Sequence, residues 1–439
     1  MRIMMVTVTL GGSTKSVGGV ELHIRSLAQA LSERGHRIVA LTKRFPAPPI
    51  QLQGIEAIFS TETIFPLLLT KLFQFDPVVY FASLRFLRTW PPDIIHLHSF
   101  LDLSFAPLAA AKRLGIPVLA TVHSYWPVCL RHRLCYNEDR SCQQRYTREV
   151  CAPCLARGLR NQTGVRLPVP LVSLVLRGAW RARQHVLQKV ARFIAPSAAI
   201  ARSLTESGFP TDRIVTIPHG LPQGDFVVRP RQPISERRGV NLLSVGRLVP
   251  NKGVQYLLEA LLQVRQVHPD LILTVAGDGK YRPELEQLCS SLGLTAAVRF
   301  IGDQPRSRLP ELYAEADILI FPSQSEVFPY VALEAAATGV PVVATTVGGI
   351  PEIFGEGAIM VPPMDAGALA RGILAALSDP AAAAARAKLA KERYQTHFGF
   401  ETMVNRTEAV YAELLDVQVK RGGGVLSAAT PQQAGWKEG

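Results

Sequence analysis

The sequence predicts an α/β protein built from two doubly wound, Rossmann-like domains, and three observations carry that reading. The chain has 439 residues, whereas a single hydrophobic core stops growing near ~250–300 residues. The second half alternates short continuous apolar runs with stretches of helical apolar spacing, and the first half repeats the alternation less regularly. Apolar residues make up 48% and charged residues 19% of the chain, enough to supply two cores.

Strands are expected in the first half at 2–9, 37–41, 93–98, 117–123, 192–195 and 214–218, with helices at 20–34, 106–114 and 197–207. A stretch rich in Pro, Gly and Arg at 221–239 is the expected join. Strands are then expected at 241–245, 271–276, 298–301, 317–321, 340–344 and 359–361. The helices between them fall at 253–267, 283–292, 309–315, 331–337 and 366–377. Continuous apolar strands, without polar alternation, suit a parallel sheet covered on both faces. The helical pattern at 400–415 follows the last strand and has no strand of its own to cover. The tail at 420–439 contains Gly422-Gly423-Gly424 and is expected to be flexible.

No run reaches the ~18 apolar residues of a membrane span. The opening apolar run follows Arg2 but breaks at Gly11-Gly12 without a small-residue cleavage site. It reads as a buried first strand, so a cytoplasmic protein is expected. The charge is uneven. Residues 1–220 carry 27 Lys or Arg against 12 Asp or Glu, a surplus of 15, whereas the remainder carries 21 against 23. Between Glu149 and Glu206 there is no acid, yet Arg157, Arg160, Arg166, Arg177, Arg181, Arg183, Lys189, Arg192 and Arg202 fall there. The first half is therefore expected to meet something anionic, and nucleic acid, an acidic lipid surface at the inner face of the membrane and a phosphorylated acceptor all qualify. Leu171, Val172, Leu174, Val175 and Trp180 lie among Arg177, Arg181, Arg183 and Lys189. On a helix they would set an apolar stripe beside cations.

The motifs cluster at the ends of expected strands. In the run LIFPSQSEVFPYVALEAAATG, which begins at Leu319, a strand gives way to a loop holding Glu326, and a helix opens near Pro329. Backbone N–H groups near Phe328, Tyr330 and Val331 would form an anion site at that helix start. Glu334 lies eight residues after Glu326. Arg247 follows the first strand of the second half, and Lys252 precedes the next helix. Both sit at a strand's carboxyl end, where open α/β sheets bind ligands. Two fixed cations can stabilise a departing nucleoside diphosphate without a metal ion.

Together these residues resemble glycosyltransferase family 4, retaining enzymes of the GT-B architecture, in which two Rossmann-like domains face each other across a cleft. The resemblance runs over nearly all the chain. It takes in Gly18-Gly19-Val20, DIIHLH at 93–98, Thr121-Val122-His123, FIAPS at 193–197 and IPHG at 217–220. It continues through SVGRLVPNKG at 244–253, AGDG at 276–279, FIG at 300–302 and the Glu326…Glu334 pair. It implies an acceptor-side domain at 1–220, a nucleotide-sugar domain at 221–395 and a helix at 396–419 that returns to the first domain. The implied catalytic residues are His123, Glu326, Arg247 and Lys252. Arg247 and Lys252 would hold the donor diphosphate of a UDP- or GDP-sugar, Glu326 the sugar hydroxyls, and Glu334 the ribose. Gly18, Gly19 and Gly277 would let backbone approach the donor, and His123 would lie near the reacting sugar. Where the family often has Gly, this chain has Val327 and Pro329, and Pro329 removes one N–H. Transfer would retain anomeric configuration and serve polysaccharide, lipid-linked or other glycoconjugate synthesis.

Cys129, Cys135, Cys142, Cys151 and Cys154 fall in a segment spanning 125–160. In a cytoplasmic protein such a cluster favours a metal over disulfides. A subset of the family looks similar here, and Cys129, Cys142, Cys151 and Cys154 match its spacing. A structural Zn²⁺ on these thiolates is expected, and no cofactor for catalysis. His96 and His98 share a strand face and read as a hydrogen-bonded strand-end pair, with a metal or acceptor as the other reading. A nucleotide-sugar epimerase on the same fold, or a basic protein binding nucleic acid or membrane, would be the alternatives. The latter leaves Arg247, Lys252, Glu326 and Glu334 unexplained, and no nucleic acid is expected.

Overall fold

The computed structural model describes residues 1–7, 10, 18–43, 52–61, 75–99, 104–129, 135–137, 140–142, 148–222 and 239–421. Five strands open the chain: β1 (Arg2–Val6), β2 (Arg37–Lys43), β3 (Ala57–Thr61), β4 (Ile94–Leu97) and β5 (Val118–Thr121). A short antiparallel ribbon follows, β6 (Cys135–Asn137) with β7 (Arg140–Ser141), and then β8 (Arg192–Ala195) and β9 (Ile214–Thr216). Apart from the ribbon these strands form one parallel sheet in the order β3-β2-β1-β4-β5-β8-β9. The second sheet joins β10 (Asn241–Val245), β11 (Ile272–Ala276), β12 (Val298–Gly302), β13 (Ile318–Phe321), β14 (Val342–Thr345) and β15 (Ile359–Val361). Its order is β12-β11-β10-β13-β14-β15, again parallel. This is the GT-B arrangement.

The apolar runs account for the layering. Strands β4, β5, β13 and β14 are buried along their whole length, as a sheet packed on both faces requires. In each sheet the winding reverses between two neighbours, β1 with β4 and β10 with β13. At such a point connections leave in opposite directions and a crevice opens beyond the carboxyl ends of the strands.

Several elements differ from the sequence expectation. β1 ends at Val6, short of residue 9. β3 was not anticipated, nor were the helices Pro77–Thr89, Arg148–Thr163 and Pro380–His397. The first of these opens Pro-Val-Val-Tyr-Phe, a strand-like composition. Asp76 overrides it by accepting from the N–H groups of Val78 and Val79, with Pro77 fitting the first helical position. The last opens with five alanines after Pro380, so no apolar period marks it. Pro329 is the N-cap, with ψ 132°, and the helix proper is Tyr330–Thr338. Most of the expected join, residues 223–238, and the tail 422–439 lie outside the described residues.

The helix Phe400–Arg421 packs against the first sheet, not the second. Met403, Val404, Val410, Tyr411 and Leu414 share a core with Ile3, Met5, Ile24 and Leu27. Arg34 donates to Glu401 and Glu408, 2.7 Å in each case, and Arg192 pairs with Glu413. The chain thus passes between the domains twice, and the passages touch. Leu221 bridges to Gly399 in parallel register. A Cβ on Gly220 would lie 2.6 Å from the Phe400 Cα.

Candidate active site

The second sheet builds one wall. After β10 the chain turns through Pro250–Lys252, and Gly253 adopts φ 73°. A side chain there would bring Cβ within 1.9 Å of the Pro322 carbonyl oxygen, so only glycine lets this turn lie against the loop after β13. That approach places Lys252 beside Glu326. The ammonium donates to Glu326 Oε1 at 2.5 Å, and Ser323 Oγ donates to the same oxygen at 2.8 Å. Gly348, with φ 54°, supports the loop from behind, since a Cβ would fall 1.8 Å from the Glu326 carbonyl oxygen. Arg247 is exposed and has no ion-pair partner among the described residues. Gly277 follows β11 and packs against Gly246, with Cβ room of only 2.0 Å. The helix Tyr330–Thr338 carries no side-chain cap, so its first N–H groups face outward from Pro329.

Glu334 points inward on that helix and is 2% exposed. Arg306 donates to Oε1 at 2.7 Å and Tyr313 to Oε2 at 2.8 Å. Both oxygens are therefore engaged from within the second domain. Sequence reasoning did not find Arg306 or Tyr313, which lie on a separate element upstream. Burial, and next the Glu334 charge, push the Tyr313 phenol well above its ordinary range, so it remains a donor.

The first sheet contributes histidines. His98 follows β4, His123 follows β5, and His23 lies one turn into the helix Gly19–Glu33. Gly19 allows the close approach of Tyr330, whose Cδ2 would sit 3.2 Å from a Cβ there. Gly18 is the extended residue before that helix. His98 Nδ1 meets His123 Nε2 at 3.0 Å, and His219 stacks on His123 with ring centroids 5.1 Å apart. Nitrogens of His23, His98 and His123 lie within 4.8 Å of one another. The His96 ring lies 3.9 Å from that of His98, but its nitrogens are engaged elsewhere, with Tyr411 Oη at 2.6 Å and Thr121 Oγ1 at 2.7 Å. It is a hydrogen-bonded strand residue. Burial lowers His23 to about 3 and holds His96, His98, His123 and His219 well below the ordinary histidine range, with their mutual repulsion adding to the effect. At neutral pH the group is a set of neutral imidazoles, able to donate and accept hydrogen bonds with hydroxyls.

The two walls meet. His23 Nδ1 lies 3.2 Å from Tyr330 Oη, and the His219 ring stacks on Tyr330 at 14° and stands edge-on to Phe328. Tyr125 donates to the Glu326 carbonyl oxygen at 2.9 Å. Glu352 accepts from the N–H groups of Ala198 and Ala199 at 2.7 and 2.8 Å, capping a first-domain helix from the second domain. The structure thus brings His123, Lys252, Glu326, Phe328 and Tyr330 to one crevice and adds His23, Tyr125 and His219. A signal existed for two of these. His23 stands four residues beyond Gly19, on the same helix face, and His219 lies inside the IPHG motif.

Cys129, Cys142, Cys151 and Cys154 are partly buried. Cys151 and Cys154 lie three apart on the helix Arg148–Thr163, and Cys142 follows β7. Cys135 lies in β6; its side chain is outside the described residues. Arg183, expected among surface cations, is instead 1% exposed. Among the described residues no helix is long and apolar enough to cross a membrane.

Comparison with known proteins covers both halves. Residues 17–223 match the family model described as Glycosyltransferase Family 4, and residues 230–396 match Glycosyl transferases group 1. The glycogen synthase of Mycobacterium tuberculosis is 28% identical over 433 residues, which is 94% of each chain. Sucrose-phosphate synthase from Thermosynechococcus elongatus superposes with a TM-score of 0.70 at 22% identity, covering 95% of this chain and 99% of that one. Anabaena HepE, solved in complex with UDP-glucose, gives 0.68 at 19% identity, covering 95% and 100%.

Proposed function

The chain belongs to glycosyltransferase family 4, and from that premise we propose that it moves a sugar from a UDP- or GDP-sugar, with retention of configuration, to an acceptor bearing negative charge. The observation that carries this reading is the meeting of Lys252 with Glu326 at the reversal point of the second sheet, opposite neutral histidines on the first. In this reading Arg247 and Lys252 hold the diphosphate, helped by the outward N–H groups at Tyr330 and Val331. Glu326 takes sugar hydroxyls, Glu334 the ribose, and His123 stands beside the reacting carbon. Gly18 and Gly19 let backbone close on the donor. The bond from the anomeric carbon to the diphosphate oxygen breaks, and the two cations stabilise the charge that collects on the leaving oxygens. The acceptor hydroxyl attacks from the same face and its proton passes to the departing phosphate. The Anabaena neighbour's UDP-glucose supports a uridine donor.

The acceptor side of the proposal rests on charge. The surplus of 15 cations lies in the first 220 residues. The helix Val169–Leu187 exposes Val169, Leu171 and Leu174 at 41, 49 and 71%, with Arg177 and Arg181 exposed beside them. Such a face suits a peripheral position on the anionic, cytoplasmic leaflet. The four thiols Cys129, Cys142, Cys151 and Cys154 have the donor chemistry of a structural Zn²⁺ site, which would pin the inserted segment. A thermal-shift series over UDP- and GDP-sugars tests the donor. A ligand at ~100 times its dissociation constant adds ~2.7 kcal/mol. A chain indifferent to every nucleotide and nucleotide sugar would refute the proposal.

A further inference from the structure

Among the described residues Arg183 is the only arginine or lysine classed as buried, and it has no hydrogen-bond partner. Its side chain is 1% exposed, and Nε, Nη1 and Nη2 are each buried without an acceptor. The guanidinium carbon lies 5.3 Å from the Trp180 ring centre and 5.9 Å from that of Phe105. Rings attract the cation but accept none of its five N–H bonds in the way an oxygen does. The neighbouring Gln184 also has its amide nitrogen buried without an acceptor. A buried charge with no partner is costly, and replacing it with an apolar group is often stabilising. Keeping it therefore suggests a partner that comes and goes.

Its position says where that partner would come from. Phe105 leads into the helix that follows β4, and Cys129 closes the turn that begins with His123 after β5 and donates to the Tyr125 carbonyl oxygen. Packed on Phe105, Arg183 therefore stands behind the loop at the carboxyl end of β4, the end of the first sheet that faces the crevice.

We propose that Arg183 anchors a phosphate-binding subsite for the acceptor on the first-domain side of the crevice. The subsite rests on the glycosyl-transfer reading and supplies what that reading leaves open, the charged group of the acceptor. The planar guanidinium fork grips two phosphate oxygens at once, and the aromatic rings at its side keep water away from the contact. The phosphate belongs either to a soluble monoester or to a lipid headgroup.

The test keeps UDP saturating, so that the donor phosphates are already in place, and follows the melting temperature with two probes. One is glycerol 3-phosphate and the other is vesicles of phosphatidylglycerol. Wild-type protein is expected to be stabilised by one of them, which identifies the source of the phosphate. Arg183→Met is expected to weaken that binding by about tenfold to a hundredfold, while melting no lower than wild type when no probe is present. Arg183→Lys, which keeps the charge and loses the fork, should fall between. An Arg183→Met variant that responds like wild type would overturn the subsite. So would a wild-type protein indifferent to both probes, or Arg183→Lys and Arg183→Met variants that lose stability and keep the response. Failure of UDP itself to bind would instead strike the donor reading.

Discussion

Tyr411, near the end of the chain, places its hydroxyl 2.6 Å from His96 Nδ1 in the first sheet. The other nitrogen of His96 meets Thr121 on β5, so the C-terminal helix braces two strands that carry the crevice histidines. Tyr411→Phe leaves a buried ring nitrogen without its partner. A loss of about 1–3 kcal/mol is expected in urea unfolding. Truncation after Gly399 removes the core of this contact entirely and should loosen the first domain. Unchanged stability in both variants would show that the helix is only an appendage.

Arg247→Ala and Lys252→Ala should each weaken UDP or GDP binding, because each removes a cation proposed to face the diphosphate. At about 1.5–3 kcal/mol per charged hydrogen bond the loss is roughly tenfold to a hundredfold. Titration calorimetry with the free diphosphate measures it directly. Equal affinities in wild type and both variants would remove these residues from the donor site.

Glu326→Gln and Glu334→Gln should separate. The first keeps its shape beside Ser323 but loses the charge that Lys252 pairs with. It is expected to lower kcat with a smaller effect on bare nucleotide. Glu334→Gln disturbs a carboxylate already held by Arg306 and Tyr313, so nucleotide affinity and stability should fall together. The same calorimetric loss of nucleotide in both would contradict the division of roles.

Acid should destabilise the fold through the crevice histidines. Free histidine titrates near ~6.5, whereas burial lowers His23 to about 3 and holds His96, His98, His123 and His219 well below the ordinary value. As pH falls below ~6.5 the unfolded chain takes up protons that the folded chain refuses, so stability declines toward pH 3. Each neutral histidine contributes up to ~1.4 kcal/mol per pH unit in that window and nothing above it. Urea midpoints at pH 7.5 and 5.5 should differ, and His219→Gln should reduce the difference. A slope untouched by His219→Gln would place the acid sensitivity elsewhere.

Purified protein is expected to carry close to one Zn²⁺ by elemental analysis, and Cys151→Ser should lose it with no direct effect on the chemical step. Full titration of the cysteines as free thiols in metal-free protein, prepared without chelator, would refute the site.

The two sheets were legible in the sequence because strands buried on both faces read as unbroken apolar runs, as at 319–321 and 342–344. The helix Pro380–His397 was not, since five consecutive alanines carry no period. At the crevice, residue types were readable and their contacts were not. Lys252 and Glu326 lie 74 positions apart, and what joins them is the absence of side chains at Gly253 and Gly348, a matter of backbone clearance. Nothing in the sequence around Glu334 signals Arg306 and Tyr313, which lie upstream in the turn Arg306–Arg308 and the helix Leu309–Glu315. Arg183 carried the same residue type as its exposed neighbours Arg177 and Arg181, and only packing tells them apart.

The two passages of chain at Gly220 and Gly399 have a kinematic consequence. A single strand between domains would act as a swivel, free to bend and to twist. Two passages bridged side by side act like the two pins of a door and leave one easy swing, with twisting resisted by the bridge between Leu221 and Gly399. With the donor held as proposed, a closure of the second domain would return along the same arc and turn the same face of the sugar toward the histidines. Which face of the sugar is attacked would thus be settled in part some distance from the chemistry, by the way the chain is sewn through its own waist.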